Sequence, residues 1–396
     1  MDEKDIVCLD VETTGIDRDE LEILQLSMVR GDGQVLMNEY FKPERHDEWP
    51  KAMAIHGITP EGVKDKKPFS SYRDQINDLL RDKKLITGYN CDYFDIPVLQ
   101  KNGIQFPGNA QTFDVMKKFA PVYGEWNQKK QDWNWQKLTT CAKFYGYDFK
   151  AHDALEDVKA TLHCYHRLSD YLQLEASLDA LRIQNTDMQA VTKSLQDQGI
   201  RPEVIQRMIE TKMLFQGTGQ DGKPVAVWIG TDENGRLETA KTMDLESAEH
   251  PSVVLEGSRE DHSLMIDFRK TDREEEDDRE LLVFDSELEA MAYMSILEQQ
   301  GICCMDFAYQ ICEDGDEDVQ VVTATEMQNY SQVSVMIAGN GVVQSASTIA
   351  AHISARSETA HVKNNQTWAE INRRMQEGRK KKLKAERTKK GNSREH

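Results

Sequence analysis

The stretch Ile6-Val7-Cys8-Leu9-Asp10-Val11-Glu12-Thr13-Thr14-Gly15 places the tightest constraint on what this chain can fold into. An apolar, β-branched run ending in two acids one residue apart predicts a buried strand, and its period of two turns Asp10 and Glu12 to the same face. Two carboxylates pointing the same way repel unless a cation lies between them. The pair is therefore a candidate ligand set for hard divalent ions such as Mg²⁺ or Mn²⁺. A strand that merely ends in polar residues reads the same way over this stretch, and the rest of the chain decides between the two.

Leu21 to Arg30 and Gln34 to Phe41 read as two further strands joined at Gly31-Asp32-Gly33, which completes a three-stranded meander with the first. In Met53-Ala54-Ile55-His56-Gly57-Ile58-Thr59-Pro60-Glu61, Thr59 is placed to cap a short helix begun by Pro60. A longer helix is expected from Ser71 to Arg81, with Tyr72, Ile76, Leu79 and Leu80 on its apolar side. Leu85 to Asn90 reads as another strand, followed by Cys91-Asp92-Tyr93-Phe94-Asp95-Ile96-Pro97-Val98-Leu99 entering a helix. A carboxylate at such a junction lies where α/β sheets gather their ligands, and Asp95 is preferred to Asp92. A short strand is expected at Thr112 to Val115 and a helix from Leu138 to Tyr145, closed near Gly146.

The next signal is Ala151-His152-Asp153-Ala154-Leu155-Glu156-Asp157. Asp153 reads as an N-cap and Glu156 as its capping-box partner, opening an amphipathic helix that runs to about Leu172. His152 then lies just ahead of the helix and Asp157 on its second turn, so one imidazole and one carboxylate are presented at the same helix end.

Taken together, LDVETTG, HGIT, GYNCDYFDIPVL and HDALEDVKAT, in this order and spacing, resemble the DnaQ-like (DEDDh) exonucleases, the proofreading-subunit family whose site is four acids and a histidine. The resemblance covers roughly residues 5 to 170. It implies that Asp10, Glu12, Asp95 and Asp157 are metal ligands and His152 the general base. It implies further that Thr13, Thr14, Gly15, Asn90 and Phe94 contact the nucleic acid. Tyr89 departs from the pattern, since many members carry His before the Asn. The implied fold is ribonuclease-H-like, an α/β domain with a mixed five-stranded sheet flanked by helices.

The chemistry can be stated without the family. Phosphodiester hydrolysis builds charge on the attacking and leaving oxygens, two divalent metal ions can stabilise both, and four carboxylates offset the charge of two such ions. The attacking water must lose a proton, and a histidine with an ordinary pKa near 6.5 is suited to take it. The expected activity is 3′-to-5′ release of nucleoside monophosphates from DNA, single-stranded or frayed. An exoribonuclease and a nucleic-acid adaptor that binds without cutting are the alternatives; an adaptor would have lost one of these acids or the histidine, and none is lost. Asp114 reads as a structural acid near the site, and His163 and His166 as histidines of an amphipathic helix rather than a zinc pair.

Trp126, Trp133 and Trp135 fall with Lys129 and Lys130 in a polar insertion between Val115 and Leu138, either to stack on bases or to pack as a cover. Residues 173–215 read as a helical linker. Residues 216–356 resemble a degenerate Toprim-like α/β domain, with Pro224 to Gly230 and Arg236 to Thr242 flanking a turn at Asp232-Glu233-Asn234-Gly235, and with Thr271 to Glu280 as an acidic loop. Within it, Leu281 to Phe284 is read as a strand followed by a helix, and Val333 to Ala338 as a strand before a helix from about Ser345 to Ser354. Asp285 and Glu289 stand where that resemblance implies one acid pair. Glycines at 339 and 341 stand where it implies the other, so this domain is expected to bind or position and not to catalyse.

Charge is segregated. The chain carries a net −20, yet residues 372 to 396 hold 11 Lys or Arg against 3 Glu, which leaves the remainder near −28. A basic tail over residues 357–396, helical or disordered, suits a polyanion, whereas an acidic body avoids indiscriminate phosphate binding. Seven cysteines without a CxxC pair fit a reduced compartment. With no apolar signal core and no apolar run long enough to span a bilayer, a cytoplasmic protein is expected, with nucleic acid, replication or mobile-element proteins as partners and no membrane.

Overall fold

The computed structural model describes residues 1–151, 153–232, 234–246, 252–259, 264–268, 277–284, 286–311, 330–335 and 357–359. The chain divides into two units, Met1–Ser169 and Asp170–His396.

Strand β1 (Ile6–Thr13) is the middle of the first unit. Its Val7, Leu9 and Val11 join one core with Ile76, Leu80 and Val98, while Cys8, on the other face, donates its thiol to the carbonyl of Val158. The period of two therefore puts Asp10 and Glu12 on the side of Cys8. β2 (Ile23–Arg30) and β3 (Val35–Tyr40) add antiparallel on one edge, and β4 (Leu85–Gly88) and β5 (Gln111–Asp114) add parallel on the other. The order β3-β2-β1-β4-β5 makes a mixed five-stranded sheet flanked by helices, the arrangement that the resemblance implies. Because β1, β4 and β5 are parallel, their C-terminal ends open on one edge of the sheet.

Helices α1 (Pro50–His56), α2 (Pro60–Val63), α3 (Arg73–Leu80), α4 (Asp95–Lys101), α5 (Val115–Tyr123), α6 (Leu138–Phe144) and α7 (Ala154–Ala180) follow in chain order. The Thr59 hydroxyl accepts the Gly62 N–H, the cap read from the sequence. The β2–β3 turn closes at Gly33, whose positive φ of 83° suits glycine. Gly88 is required for a different reason. A Cβ there would stand 2.8 Å from the Leu9 carbonyl oxygen and 2.7 Å from the Cys91 Cβ, so only a bare backbone lets the β4 turn pass beside β1.

The polar insertion contains structure of its own. Asp114 caps α5, and Val115, Met116, Phe119 and Ala120 bury one side of it; Pro121, in the last turn, disguised the helix in the sequence. Beyond it, β6 (Trp126–Asn127) and β7 (Asp132–Trp133) form a small hairpin. Helix α7 continues past Leu172 to Ala180, because Leu174 and Leu178 keep the apolar spacing and no glycine or proline intervenes.

In the second unit, α8 (Gln189–Asp197) and α9 (Pro202–Glu210), in the segment read as a linker, contribute Val191, Leu195, Val204 and Met208 to a core shared with Trp228 and Phe284. β8 (Leu214–Thr218), β9 (Pro224–Thr231), β10 (Leu237–Asp244) and β11 (Ser252–Val254) form an antiparallel sheet in the order β11-β10-β9-β8. β12 (Leu264–Ile266), β13 (Asp277–Phe284), α10 (Glu287–Gln300), β14 (Phe307–Ile311), β15 (Tyr330–Val335) and β16 (Ser357–Thr359) build a second sheet, ordered β12-β14-β13-β15-β16 and parallel except at β12.

Asp277 to Glu280, expected in an acidic loop, begin β13: Asp277 stands opposite Tyr330 of β15, and Glu280 opposite Phe307 of β14 and Gln332 of β15. Ser357 to Thr359, assigned to the tail by sequence, pair as β16. Asp285, the glycines at 339 and 341, the helix expected at 345–354 and the basic run from 372 lie outside the described residues. Among the described residues no helix is long and apolar enough to cross a membrane.

The packing around Gly88 predicts that Gly88→Ala lowers the stability of the first unit by about 1–3 kcal/mol, the usual range for overpacking. Thermal unfolding of the variant should show this. An unchanged melting temperature would mean that β4 can move away from Leu9 freely.

Candidate active site

Each acid of the site is delivered by a different local device. Asp10 and Glu12 come from the end of β1, which is paired on both edges in its first half and with β2 throughout. Asp157 lies in the first turn of α7, not the second, because Ala154 is already helical. The Asp153 carboxylate caps that turn by accepting the N–H groups of Leu155 and Glu156, and its carbonyl accepts the Asp157 N–H. The Glu156 carboxylate pairs with Lys159 at 2.8 Å. The result is that carboxylate oxygens of Asp10, Glu12 and Asp157 lie within 4.8 Å of one another.

Asp95 opens α4 and is 3% exposed. One of its oxygens accepts the Val11 N–H at 3.0 Å, which ties it to the stretch of β1 between Asp10 and Glu12. Asp92, the rival at this junction, is held by Lys117 at 2.8 Å. Asp114 accepts the N–H groups of Asn90, Asp92 and Lys117, so it organises the turn between β4 and α4 and caps α5. Cys91, Asp92 and Asp114 also lie close enough to count as a cation-sized group, but these contacts already occupy the two acids.

The remaining sequence-predicted residues take several places. The Thr13 hydroxyl donates to the Gly15 carbonyl, and the Thr14 hydroxyl accepts the Glu22 N–H, so both serve the loop after β1. Gly15 has open space where a side chain would be. Asn90 adopts a left-handed φ of 64° and its Oδ1 is buried with no hydrogen-bond partner among the described residues. Phe94 packs against the first core. Tyr89 sends its hydroxyl to the Gln136 carbonyl at 2.8 Å. His163 and His166 contact the carbonyls of Tyr145 and Gly31, which accounts for them without a metal. His152 lies outside the described residues.

His56, in the motif His56-Gly57-Ile58-Thr59, also reaches this end of β1. His56 Nδ1 accepts the Ile58 N–H at 3.0 Å, which leaves Nε2 to carry the proton donated to the Thr13 carbonyl at 3.2 Å. A neutral imidazole thus fastens the motif His56-Gly57-Ile58-Thr59 to the end of β1. The signal was available only as a histidine followed by glycine and a helix cap, which does not reveal so distant a partner.

Burial and mutual repulsion raise the acids. The Asp10 carboxyl is held above its ordinary value by desolvation and then by Asp95, Glu12 and Asp157. Glu12 is pushed up to about 7 by desolvation, Asp157, Asp95 and Asp153, and Asp95 to about 7 by desolvation, with the Val11 N–H opposing. Clustered hard oxygen donors that resist ionisation beside one another fit a divalent cation, whose charge would remove the penalty. Tyr40 of β3 stands opposite Gln25, which stands opposite Glu12, so it shares their face of the sheet, and desolvation, Asp153 and Glu12 raise its hydroxyl.

Residues 7–165 match the family model RNase_T, described as an exonuclease. The chain is similar to the DNA polymerase III subunit epsilon of Rickettsia conorii (strain ATCC VR-613 / Malish 7), with 26% identity over 173 residues, 41% of this chain and 72% of that protein. Among solved structures it is similar to E. coli exonuclease I in complex with a dA16 oligonucleotide, at 21% identity and a TM-score of 0.36, covering 60% of this chain and 54% of that one. A structure of exonuclease I without ligand gives 19% identity, a TM-score of 0.35, and coverage of 64% and 62%. The chain thus spans little more than half the length of these solved structures.

The charge arrangement has a measurable consequence. A carboxyl raised in the fold stabilises below its unfolded pKa, and that contribution is lost as pH rises through the folded value, here toward 7 for Glu12 and Asp95. In chelator, the first unit should therefore lose stability between about pH 4 and 7, and Mn²⁺ at pH 8 should restore it. Asp10→Asn should raise the metal-free melting temperature at pH 8 by roughly 2–4 °C per kcal/mol of repulsion relieved and remove most of the Mn²⁺ shift. Equal Mn²⁺ shifts in wild type and variant would place the cation elsewhere.

Proposed function

We propose, from the premise that residues 7–165 form a DnaQ-like exonuclease domain, that this chain hydrolyses DNA from the 3′ end and releases nucleoside monophosphates. The observation that carries the reading is the convergence of Asp10, Glu12 and Asp157 within 4.8 Å, with Asp95 locked beside them on the Val11 N–H. Two divalent ions, Mg²⁺ or Mn²⁺, bound by these four acids would stabilise charge on the attacking and leaving oxygens of an in-line displacement.

The chain's own residues supply the rest. β1 fixes the spacing of Asp10 and Glu12, α7 brings Asp157 to them, and the His56 contact to Thr13 holds the end of the strand. His152, one residue before the cap of α7, takes the proton of the attacking water; an ordinary imidazole does so at neutral pH. DNA is preferred to RNA on the likeness to a DNA polymerase III subunit epsilon. Discrimination between the two would rest on contacts to the 2′-hydroxyl.

The reading is tested by incubating the full chain with matched DNA and RNA oligomers and Mg²⁺ or Mn²⁺. Loss of DNA from the 3′ end with release of monophosphates is expected, and degradation of RNA alone would make the enzyme an exoribonuclease. Asp10→Ala and Asp157→Ala should abolish turnover in folded protein, and His152→Ala should slow it by roughly 10² to 10⁴. Wild-type rates in all three would show that the site is misplaced.

In the second unit, we infer a binding or positioning role. Glu289 sits in the first turn of α10, capped by Ser286, and the acid pair that would complete a phosphoryl-transfer site is replaced by glycines at 339 and 341. Asp285→Ala and Glu289→Ala should leave the cleavage rate per bound substrate within a factor of about 2 of wild type, the scale of a substitution away from the chemistry. Loss of cleavage with binding retained would assign catalysis to this unit.

A further inference from the structure

The hairpin between α5 and α6 presents three tryptophans in a way that packing does not explain. Trp126 and Trp133 face each other across the β6–β7 pair with ring centroids 5.0 Å apart, yet Trp126 remains 46% exposed. Trp135 is 50% exposed and lies 5.5 Å from the ring of Tyr93, itself 51% exposed. Apolar rings left half in water forgo much of the free energy their burial would supply, and exposed apolar patches of this kind mark interaction sites.

The hairpin is nonetheless held rigidly. Asn127 bonds Asn134, Asn134 and Gln136 both bond Glu125, and the Asn127 carbonyl of the side chain accepts the N–H groups of Lys129 and Lys130 at the turn. Rings held in place before a ligand arrives lose little freedom on binding.

The platform is anchored to the active-site end of the sheet. Tyr89 and Tyr93 belong to the turn that leaves β4 and ends at Asp95, and they hold the hairpin at two points, through Gln136 and Trp135. β4 runs parallel to β1, so this turn emerges at the same edge as Asp10 and Glu12. Lys117 lies 4.0 Å over the Tyr93 ring. Between residues 115 and 137 five lysines stand against two acids, a local +3 in a chain of net −20. Aromatic faces alternating with cations, beside a cluster of acids, fit a strand whose bases stack and whose phosphates are attracted.

We propose that Tyr93, Trp135 and Trp126 form a base-stacking platform that holds the single strand behind its 3′-terminal nucleotide. This rests on the exonuclease reading above, and the test separates the two. Binding of a fluorescent thymidine oligomer is measured by anisotropy in the Asp10→Ala chain under chelator, with Trp135→Ala, Trp126→Ala and Trp135→Phe added in turn. In the otherwise wild-type chain, turnover of the same oligomer is compared with turnover of the p-nitrophenyl ester of thymidine 5′-monophosphate, which has no upstream base to stack.

Trp135→Ala should weaken oligomer binding roughly tenfold, within the range of one lost base stack, and Trp135→Phe should recover most of it. The loss in kcat/KM should be larger for the oligomer than for the ester. Equal affinity in all variants overturns the platform. So does a wild-type chain that is dimeric by light scattering and becomes monomeric in Trp135→Ala with oligomer binding intact, because the patch would then be occupied by a second copy. Binding that Trp135→Ala weakens, with no turnover of ester or oligomer by the wild type, supports the platform and overturns the nuclease reading alone.

Discussion

Holding three carboxylates within 4.8 Å of one another is the constraint on which the architecture of the first unit depends. Each ionised pair at that distance repels by about 3 kcal/mol at an effective dielectric near 20, so a compliant scaffold would let the acids drift apart. The scaffold is stiff where they sit. β1 is the central strand, α7 is tied to it through Cys8 and Val158, and Asp95 is bonded to the backbone N–H between the two β1 acids. The site is an electrostatically unfavourable arrangement imposed by favourable packing, and a cation held there would convert that cost into affinity.

Much of this could be read from the sequence because the relevant information is local. The alternation of β1, the meander turn at Gly33, the Thr59 and Asp153 caps and the stop at Gly146 each depend on a few neighbouring residues, and each is found in the structure. What stayed hidden depends on contacts between distant segments. Nothing near Val11 announces that its N–H holds Asp95, and nothing near His56 names Thr13 as its partner. Asp95 was preferred to Asp92 by position alone; that Asp95 accepts the Val11 N–H while Asp92 pairs with Lys117 is visible only in the fold.

The second unit was harder to read because its strands bury charge. Along β10, read as one arm of a hairpin, Glu238 and Lys241 are both buried; Lys241 pairs with Glu287 of α10 at 3.1 Å and Glu238 with Arg259 at 2.9 Å. A charge that finds its partner only in the fold defeats an alternation argument. Asp277 to Glu280, read as part of an acidic loop, enter a parallel ladder whose partner strands lie far along the chain.

Net charge also bears on how such a chain would engage a polyanion. With −20 overall, long-range forces oppose the approach of nucleic acid, and a partly buried acid cluster adds to that opposition unless cations offset it. Outside the basic run at 372–396, capture then falls to contacts that act at short range and over few nucleotides. Stacking on half-exposed rings satisfies this condition, because it is indifferent to net charge and to sequence, and local lysines need only cancel the field within a Debye length of about 10 Å at 0.1 M salt. On this reading, an acidic body and a single-strand platform are complementary: the first suppresses binding along duplex backbones, and the second selects strands whose bases are already free to stack.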